Sequence, residues 1–226
     1  MNVFITGANR GLGRALVQYA LNNHHHVFAT YRNDPGDLKN DTDERLSLFQ
    51  VDVTNDHDLE NVVDELKRSD TEIDVLINNA GLLIGREASI DFVSKEDLMK
   101  SFEVNAVGPA LCVKHLLPLL KSGEMKKIIN ISSDSARLMN PYAGDYPYGM
   151  AKVALNMLTK KLNAELNKDQ LQCISVHPGW MHTDMGGEHA PEDPNTIAQS
   201  IFEKIILRNE RLPSDVVDFN GEAMNL

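Results

Sequence analysis

The chain has 226 residues, 42% hydrophobic and 24% charged, which is ordinary for a globular protein and enough to bury one large core. Its formal net charge of -11 argues against nucleic acid or an anionic membrane as partner, because both require a basic footprint. Any phosphate site must then be built locally, from backbone N–H groups and a few arginines.

In chain order, short apolar runs alternate with helical patterns. Residues 3–5 read as a first strand, which leaves no room for a signal peptide, and Gly7, Gly11 and Gly13 lead from it into a helix near 12–23. His24, His25 and His26 read as a solvated helix end rather than a metal site, since adjacent side chains do not converge on one ion. Further strands are expected at 27–29, 47–51, 75–77, 128–131, 173–176 and 216–217, with helices near 56–68, 95–120, 147–167 and 194–207. Residues 32–45 read as a surface loop, 133–147 as non-helical, and 178–194 as an irregular segment following a strand. No apolar run approaches membrane-spanning length. Cys112 and Cys173 lie in apolar segments without a Cys-x-x-Cys pattern, so they read as buried thiols in a reducing, cytoplasmic setting. The alternation predicts an α/β protein: a single doubly wound Rossmann-type domain over 1–226, with a parallel sheet of about seven strands and helices on both faces.

Gly7, Gly11 and Gly13 follow a strand and open a helix, where glycines permit a tight turn and the helix N-terminus offers N–H groups and a positive dipole to a pyrophosphate. The competing reading is a plain helix-start turn, and the Gly-x-x-x-Gly-x-Gly spacing departs from the standard dinucleotide fingerprint. Tyr148 and Lys152 stand four apart, on one face of a helix. An ammonium beside a phenol favours the phenolate and makes tyrosine usable as an acid or base near neutral pH.

The ordered set Thr6-Gly-Ala-Asn9-Arg10-Gly-Leu12-Gly13, Asp52-Val53, Asn78-Asn79-Ala80-Gly81, Asn105, Ser132-Ser133, Tyr148-x-x-x-Lys152 and Pro178-Gly179 resembles the classical short-chain dehydrogenase/reductase family over about residues 2–185. The stretch from Gly179 through Trp180, Thr183, Asp184 and Met185 to Gly187 is similar to a carbonyl-reductase-like subgroup that includes sniffer and C-factor proteins. The resemblance implies catalytic roles for Ser133, Tyr148, Lys152 and Asn105. Tyr148 would protonate the substrate oxygen, Ser133 would hold that oxygen, Lys152 would lower the tyrosine pKa and hold the nicotinamide ribose, and Asn105 would order a water path to the lysine. It implies cofactor contacts from Gly7, Asn9, Arg10, Gly11, Leu12, Gly13, Asp52, Val53, Asn79, Ala80, Gly81, Tyr148, Lys152, Pro178, Gly179 and Thr183. Asp52 would meet the adenine amino group, although alone it reads equally as a turn acid.

After the second strand stands Arg32, where an NAD site would carry an acid; Asp34 follows only in the loop. A guanidinium suits a 2′-phosphate, and Arg10 is placed to approach the same group, so the expected cofactor is NADP(H). The alternative is that both arginines are solvated surface charges. Ser135 rivals Ser133 as the serine, because Ser133 lies fifteen positions before Tyr148, longer than the commonest family interval. Tyr142 and Tyr146 read as loop aromatics, His182 as an exposed loop residue, and 180–194 as a short lid with Trp180 and Met185 as apolar lining. No metal is implied.

The expected function is reduction of a small carbonyl compound to its alcohol, or the reverse. The alternative is a dinucleotide-binding regulatory protein with little turnover. A homodimer is expected through the helices near 95–120 and 147–167, on the strength of Val107, Leu111, Leu155, Met157 and Leu158.

Overall fold

A computed structural model describes residues 1–86 and 89–224; of the span expected as one domain, Glu87, Ala88, Asn225 and Leu226 lie outside it. Seven strands form one parallel sheet in the order β3-β2-β1-β4-β5-β6-β7: β1 (Asn2–Ile5), β2 (His26–Tyr31), β3 (Leu46–Gln50), β4 (Val75–Asn78), β5 (Lys127–Ile131), β6 (Gln172–His177) and β7 (Val216–Asp218). All seven expected strands are present. The sheet grows outward in one direction through β2 and β3 and in the other from β4 onward. A crevice therefore opens at the carboxyl ends of β1 and β4, where the winding reverses.

Period-two alternation sends β1 residues to opposite faces. Val3 and Ile5 join a core with α1 (Gly11–Asn22) and α6 (Pro194–Ile201), while Phe4 joins the core on the other face with α2 (Asp56–Arg68) and α4 (Gly108–Ser122). Both cysteines are free and fully buried.

The helix expected near 95–120 is continuous but not uniform. α3 (Lys95–Phe102) passes through a π-helical turn, Glu103–Val107, before α4 begins. The helix expected near 194–207 likewise ends in a π turn, Phe202–Ile206. There the buried Lys127 donates to the carbonyls of Ile205, Ile206 and Arg208 at 3.1, 2.7 and 2.8 Å, closing that helix end against the sheet.

Three loop expectations change. Gly36–Asn40 forms a 3-10 turn because Leu38 drops fully into the core. Asp134–Ala136 is another such turn, and α5 (Tyr146–Leu166) already takes in Tyr146 and Pro147, where a proline costs no helical hydrogen bond. The three histidines are not one solvated end: His24 turns the chain with φ 61, His25 stacks on Phe202 at a centroid distance of 6.2 Å, and His26 opens β2.

Among the described residues, no helix is long and apolar enough to cross a membrane, and no cluster of His, Cys, Asp or Glu has metal-binding geometry.

Candidate active site

The loop between β1 and α1 is pressed against the segment leaving β4. Gly7 has φ +62, and a Cβ there would lie 2.8 Å from the Ala80 Cα, so only glycine fits this approach. Asn79 Nδ2 donates to the carbonyls of Thr6 and Gly7 at 3.0 and 2.9 Å, while Thr6 Oγ1 accepts from the Asn79 and Ala80 N–H groups at 3.0 Å. Asn79 is thus a brace for the loop, its amide nitrogen spent within the protein. The start of α1 is left open. Arg10 precedes it in an extended conformation with no side-chain cap and no acid in the first turn, whereas Asn55, Ser94 and Asp193 cap α2, α3 and α6. Unpaired N–H groups at the positive end of a helix dipole suit an anion.

These N–H groups border a cavity of about 840 Å³ that runs along the carboxyl ends of the strands. Leu12, Val53, Ala80, Gly81, Pro178 and Gly179 all line it. At the end near β2 and β3, Arg32 is exposed and its guanidinium has no hydrogen-bond or ion-pair partner among the described residues. Asp52 accepts from the Thr54 N–H and hydroxyl at 3.0 and 2.7 Å, so it is a turn acid that also faces the cavity. Burial opposes its ionisation, but the Thr54 bonds and the Arg32 charge hold its carboxyl below the ordinary value. Asn9 Nδ2 donates to the Asp34 carbonyl at 3.0 Å, tying the glycine loop to the loop after β2.

Arg10 lines the same cavity as Arg32. Its Nη1 lies 2.9 Å from Asp184 Oδ2 in the segment after β6, because that carboxylate is the acceptor this conformation offers. The same segment lies close to the glycine loop: a Cβ on Gly11 would come within 3.3 Å of the Thr183 methyl. Arg86, which sequence reasoning passed over, donates to the Met185 carbonyl at 3.2 Å from the loop after β4. Trp180 Nε1 donates to the Gly186 carbonyl at 2.8 Å, and Trp180 and Met185 line the cavity as expected, while His182 is exposed and outside it.

At the other end α5 presents Tyr148 and Lys152 one turn apart. Lys152 is buried, its ammonium 5.4 Å from the Tyr148 ring centroid and 2.7 Å from the Ile131 carbonyl of β5. The expected depression of the tyrosine pKa is not found, because burial opposes the phenolate. Burial pushes the Tyr148 phenol above its ordinary range despite the opposing influence of Ser133, and burial lowers Lys152 to about 7. An ammonium with one protein acceptor in a desolvated site is poorly held, and a lysine that is partly neutral lends the phenolate little support.

The two serines separate by partner. Ser133 Oγ accepts the Ser135 N–H at 3.1 Å and lines the cavity together with Tyr148. Ser135 Oγ bonds the Tyr142 hydroxyl, and Tyr142 donates to Asp145 Oδ2 at 3.1 Å. Tyr142 thus joins a network instead of standing as a loose loop aromatic. His177, at the end of β6, was also missed; its Nδ1 accepts the Asp134 N–H at 3.2 Å, and burial holds its pKa below the ordinary value.

Asn105 lies in the π turn, fully buried. Its Nδ2 donates to the Leu82 carbonyl, the Ser101 carbonyl and Ser101 Oγ at 2.8, 2.9 and 3.1 Å, and its Oδ1 accepts the Leu82 N–H at 3.0 Å. A π turn frees backbone groups from the regular ladder, and this side chain uses one of them to clamp the cavity wall.

A family profile described as short chain dehydrogenase matches residues 1–194. The chain belongs to the short-chain dehydrogenase family. The short chain dehydrogenase pigC of Monascus ruber is 34% identical over 197 residues, which cover 82% of this chain and 64% of that protein. The chain thus spans less than two thirds of that relative's length. Among solved structures of the short-chain dehydrogenase fold, the carbonyl reductase Sniffer of D. melanogaster superposes with a TM-score of 0.89 at 34% identity, covering 97% of each chain. The NADPH-bound carbonyl reductase from chicken fatty liver gives a TM-score of 0.91 at 27% identity, over 100% of this chain and 98% of that one.

Proposed function

We propose that this short-chain dehydrogenase uses NADP(H) to reduce a small carbonyl compound to an alcohol, or to run the reverse reaction, with Tyr148 as the proton donor. The observation that carries this reading is one cavity with Ser133, Tyr148 and Lys152 at one end and an uncapped helix start with an unpaired Arg32 at the other. The glycine cradle at Gly7 and the open N–H groups of α1 fit a pyrophosphate, and Arg32 fits a 2′-phosphate that a planar guanidinium can bond twice. Asp52 and Val53 border the adenine end, Ala80 and Gly81 a ribose, and Pro178, Gly179 and Thr183 the nicotinamide end.

When bound, the cofactor supplies the hydride. Ser133 Oγ donates to the substrate oxygen and fixes the carbonyl while negative charge builds there. Tyr148 breaks its O–H bond to give the proton to that oxygen. Lys152 spends one N–H on Ile131 and has two left for ribose hydroxyls; with these acceptors it stays charged and draws the Tyr148 pKa down. Asn105 anchors Leu82 and so the wall beside the lysine, with one lone pair of Oδ1 left to hold a water. The segment 180–194 acts as a lid, its closure excluding water from the site.

A homodimer belongs to the same proposal. Met99, Phe102 and Val107 on α3 and the π turn, and Met150 and Met157 on α5, remain exposed. Leu155 does not contribute, being 1% exposed inside the protein's own core.

The test is a panel of aldehydes and ketones assayed with NADPH and NADH by loss of reduced-cofactor absorbance. Turnover with NADPH preferred is expected. Tight NADPH binding with no carbonyl reduced would hand the assignment to a dinucleotide-binding regulator.

A further inference from the structure

We propose that His177 is a positioning residue for Ser133: its neutral imidazole holds, through the Asp134 N–H, the turn that carries the serine. The inference rests on the reading of Ser133 as the group that fixes the substrate oxygen.

The sheet alone does not hold this turn. β5 and β6 pair in parallel, and the last ladder bond between them runs from the Ser132 N–H to the Val176 carbonyl at 2.8 Å. The next rung would need an N–H at position 178, and Pro178 has none. Ser133 therefore stands just beyond the ladder, extended at φ -157 and ψ 157, and leads into the 3-10 turn Asp134–Ala136. The first N–H of that turn, on Asp134, has no backbone partner there. The side chain of the last β6 residue supplies one: His177 Nδ1 accepts the Asp134 N–H at 3.2 Å. That N–H lies in the peptide plane that begins at Ser133, so anchoring it fixes the ψ of Ser133 and with it the direction in which the serine faces the cavity.

Because Nδ1 faces a donor, the neutral ring carries its proton on Nε2. Protonation would add a hydrogen on Nδ1; two donors would then face each other and the anchor would be lost. The ring borders both the main cavity and a second hollow of about 560 Å³ beside Arg137 and Asp218, so water can deliver that proton. Burial is the largest influence on the ring and keeps it neutral, opposed by Asp134 on the turn and Asp218 of β7 and assisted by Arg137. From α5, Tyr148 lines the same cavity. The net result is a pKa below the ordinary histidine value, so the acceptor is present at neutral pH and is lost as pH falls through that lowered value. Carbonyl reduction should fail at acid pH with it.

The experiment compares wild type with His177→Asn, whose Oδ1 replaces Nδ1 as a permanent acceptor, and His177→Leu, which has none. It reads kcat and KM for the best carbonyl against pH at saturating NADPH, NADPH affinity by fluorescence, and the Asp134 amide resonance in nitrogen-15-labelled protein. Saturation keeps the cofactor phosphate, which titrates at about pH 6, out of the profile. In wild type, kcat/KM should fall below the ordinary histidine range, and the Asp134 amide should shift with the same midpoint. His177→Leu should lose about 10- to 100-fold in kcat/KM at neutral pH with NADPH affinity unchanged. His177→Asn should recover most of that loss, and its acid limb should be gone. An Asn variant that keeps the limb or is as impaired as Leu, a Leu variant with wild-type kcat/KM, or a wild-type Asp134 amide indifferent to pH would each overturn the positioning role alone. A wild type that binds NADPH but reduces no carbonyl fells the reading of Ser133 and the proposal with it. If His177→Leu melts early, the Asn profile and the Asp134 resonance decide.

Discussion

Lys152 and Tyr148 share a face of α5, yet the ammonium makes its hydrogen bond to the Ile131 carbonyl, 2.7 Å away, and lies 5.4 Å from the phenol ring centroid. Burial lowers the lysine to about 7 and raises the tyrosine. The pair is therefore not poised for acid–base work until further acceptors reach the lysine.

A proton uptake on cofactor binding follows. In the free protein Lys152 is partly neutral above its lowered pKa; ribose hydroxyls that accept from it favour the ammonium and raise that pKa. The complex then binds more protons than the free protein between the lowered value and the ordinary lysine range. Calorimetry at about pH 8, in buffers of different ionisation enthalpy, should show a net uptake of up to one proton. No uptake, or release, would contradict the assignment of Lys152 to the ribose.

The sign for folding is related. A lysine whose folded pKa is depressed is protonated more readily in the unfolded chain, so its contribution to stability is present above the unfolded pKa and is lost as pH falls through about 7. Lys152→Met should remove this contribution to the pH dependence of urea midpoints on the alkaline side of neutrality. A variant with the wild-type dependence there would exclude Lys152 as its source.

Arg32→Asp should weaken NADPH far more than NADH, about 10- to 100-fold against little change, since it replaces a charge-assisted donor with a repelling carboxylate. Fluorescence titration with both cofactors reads the difference. Equal losses would remove Arg32 from the 2′-phosphate site.

Arg10 is engaged by Asp184 across the cleft. An ion pair this exposed is held weakly, so Asp184→Asn should free Arg10 and tighten NADPH about two- to fivefold without helping NADH. Unchanged affinity would place Arg10 outside the phosphate site; weaker affinity for both cofactors would make the pair part of the closed cleft.

The sheet was readable in the sequence because buried parallel strands are near-continuous apolar runs, as in 75–77 and 128–131, and punctuation by glycine and proline marked their ends. The glycine loop, Tyr148 and Lys152 were readable for the same reason: their local spacing constrains their geometry. What was not readable depends on contacts between distant residues. Arg10 meets Asp184, 174 positions away, and His177 meets the Asp134 N–H from 43 positions away. The π turn around Asn105 spans only five residues, too few to display a period of their own in the sequence. The burial that raises the tyrosine and lowers the lysine comes from packing between α5 and the sheet, which local spacing does not show.

The most direct test of the account is Tyr148→Phe, which removes one hydroxyl and keeps the ring. NADPH affinity, read by fluorescence titration, should change little, while kcat for the best carbonyl falls about 10²- to 10⁴-fold. A variant that binds NADPH normally and turns over like the wild type would contradict the assignment of Tyr148 as proton donor.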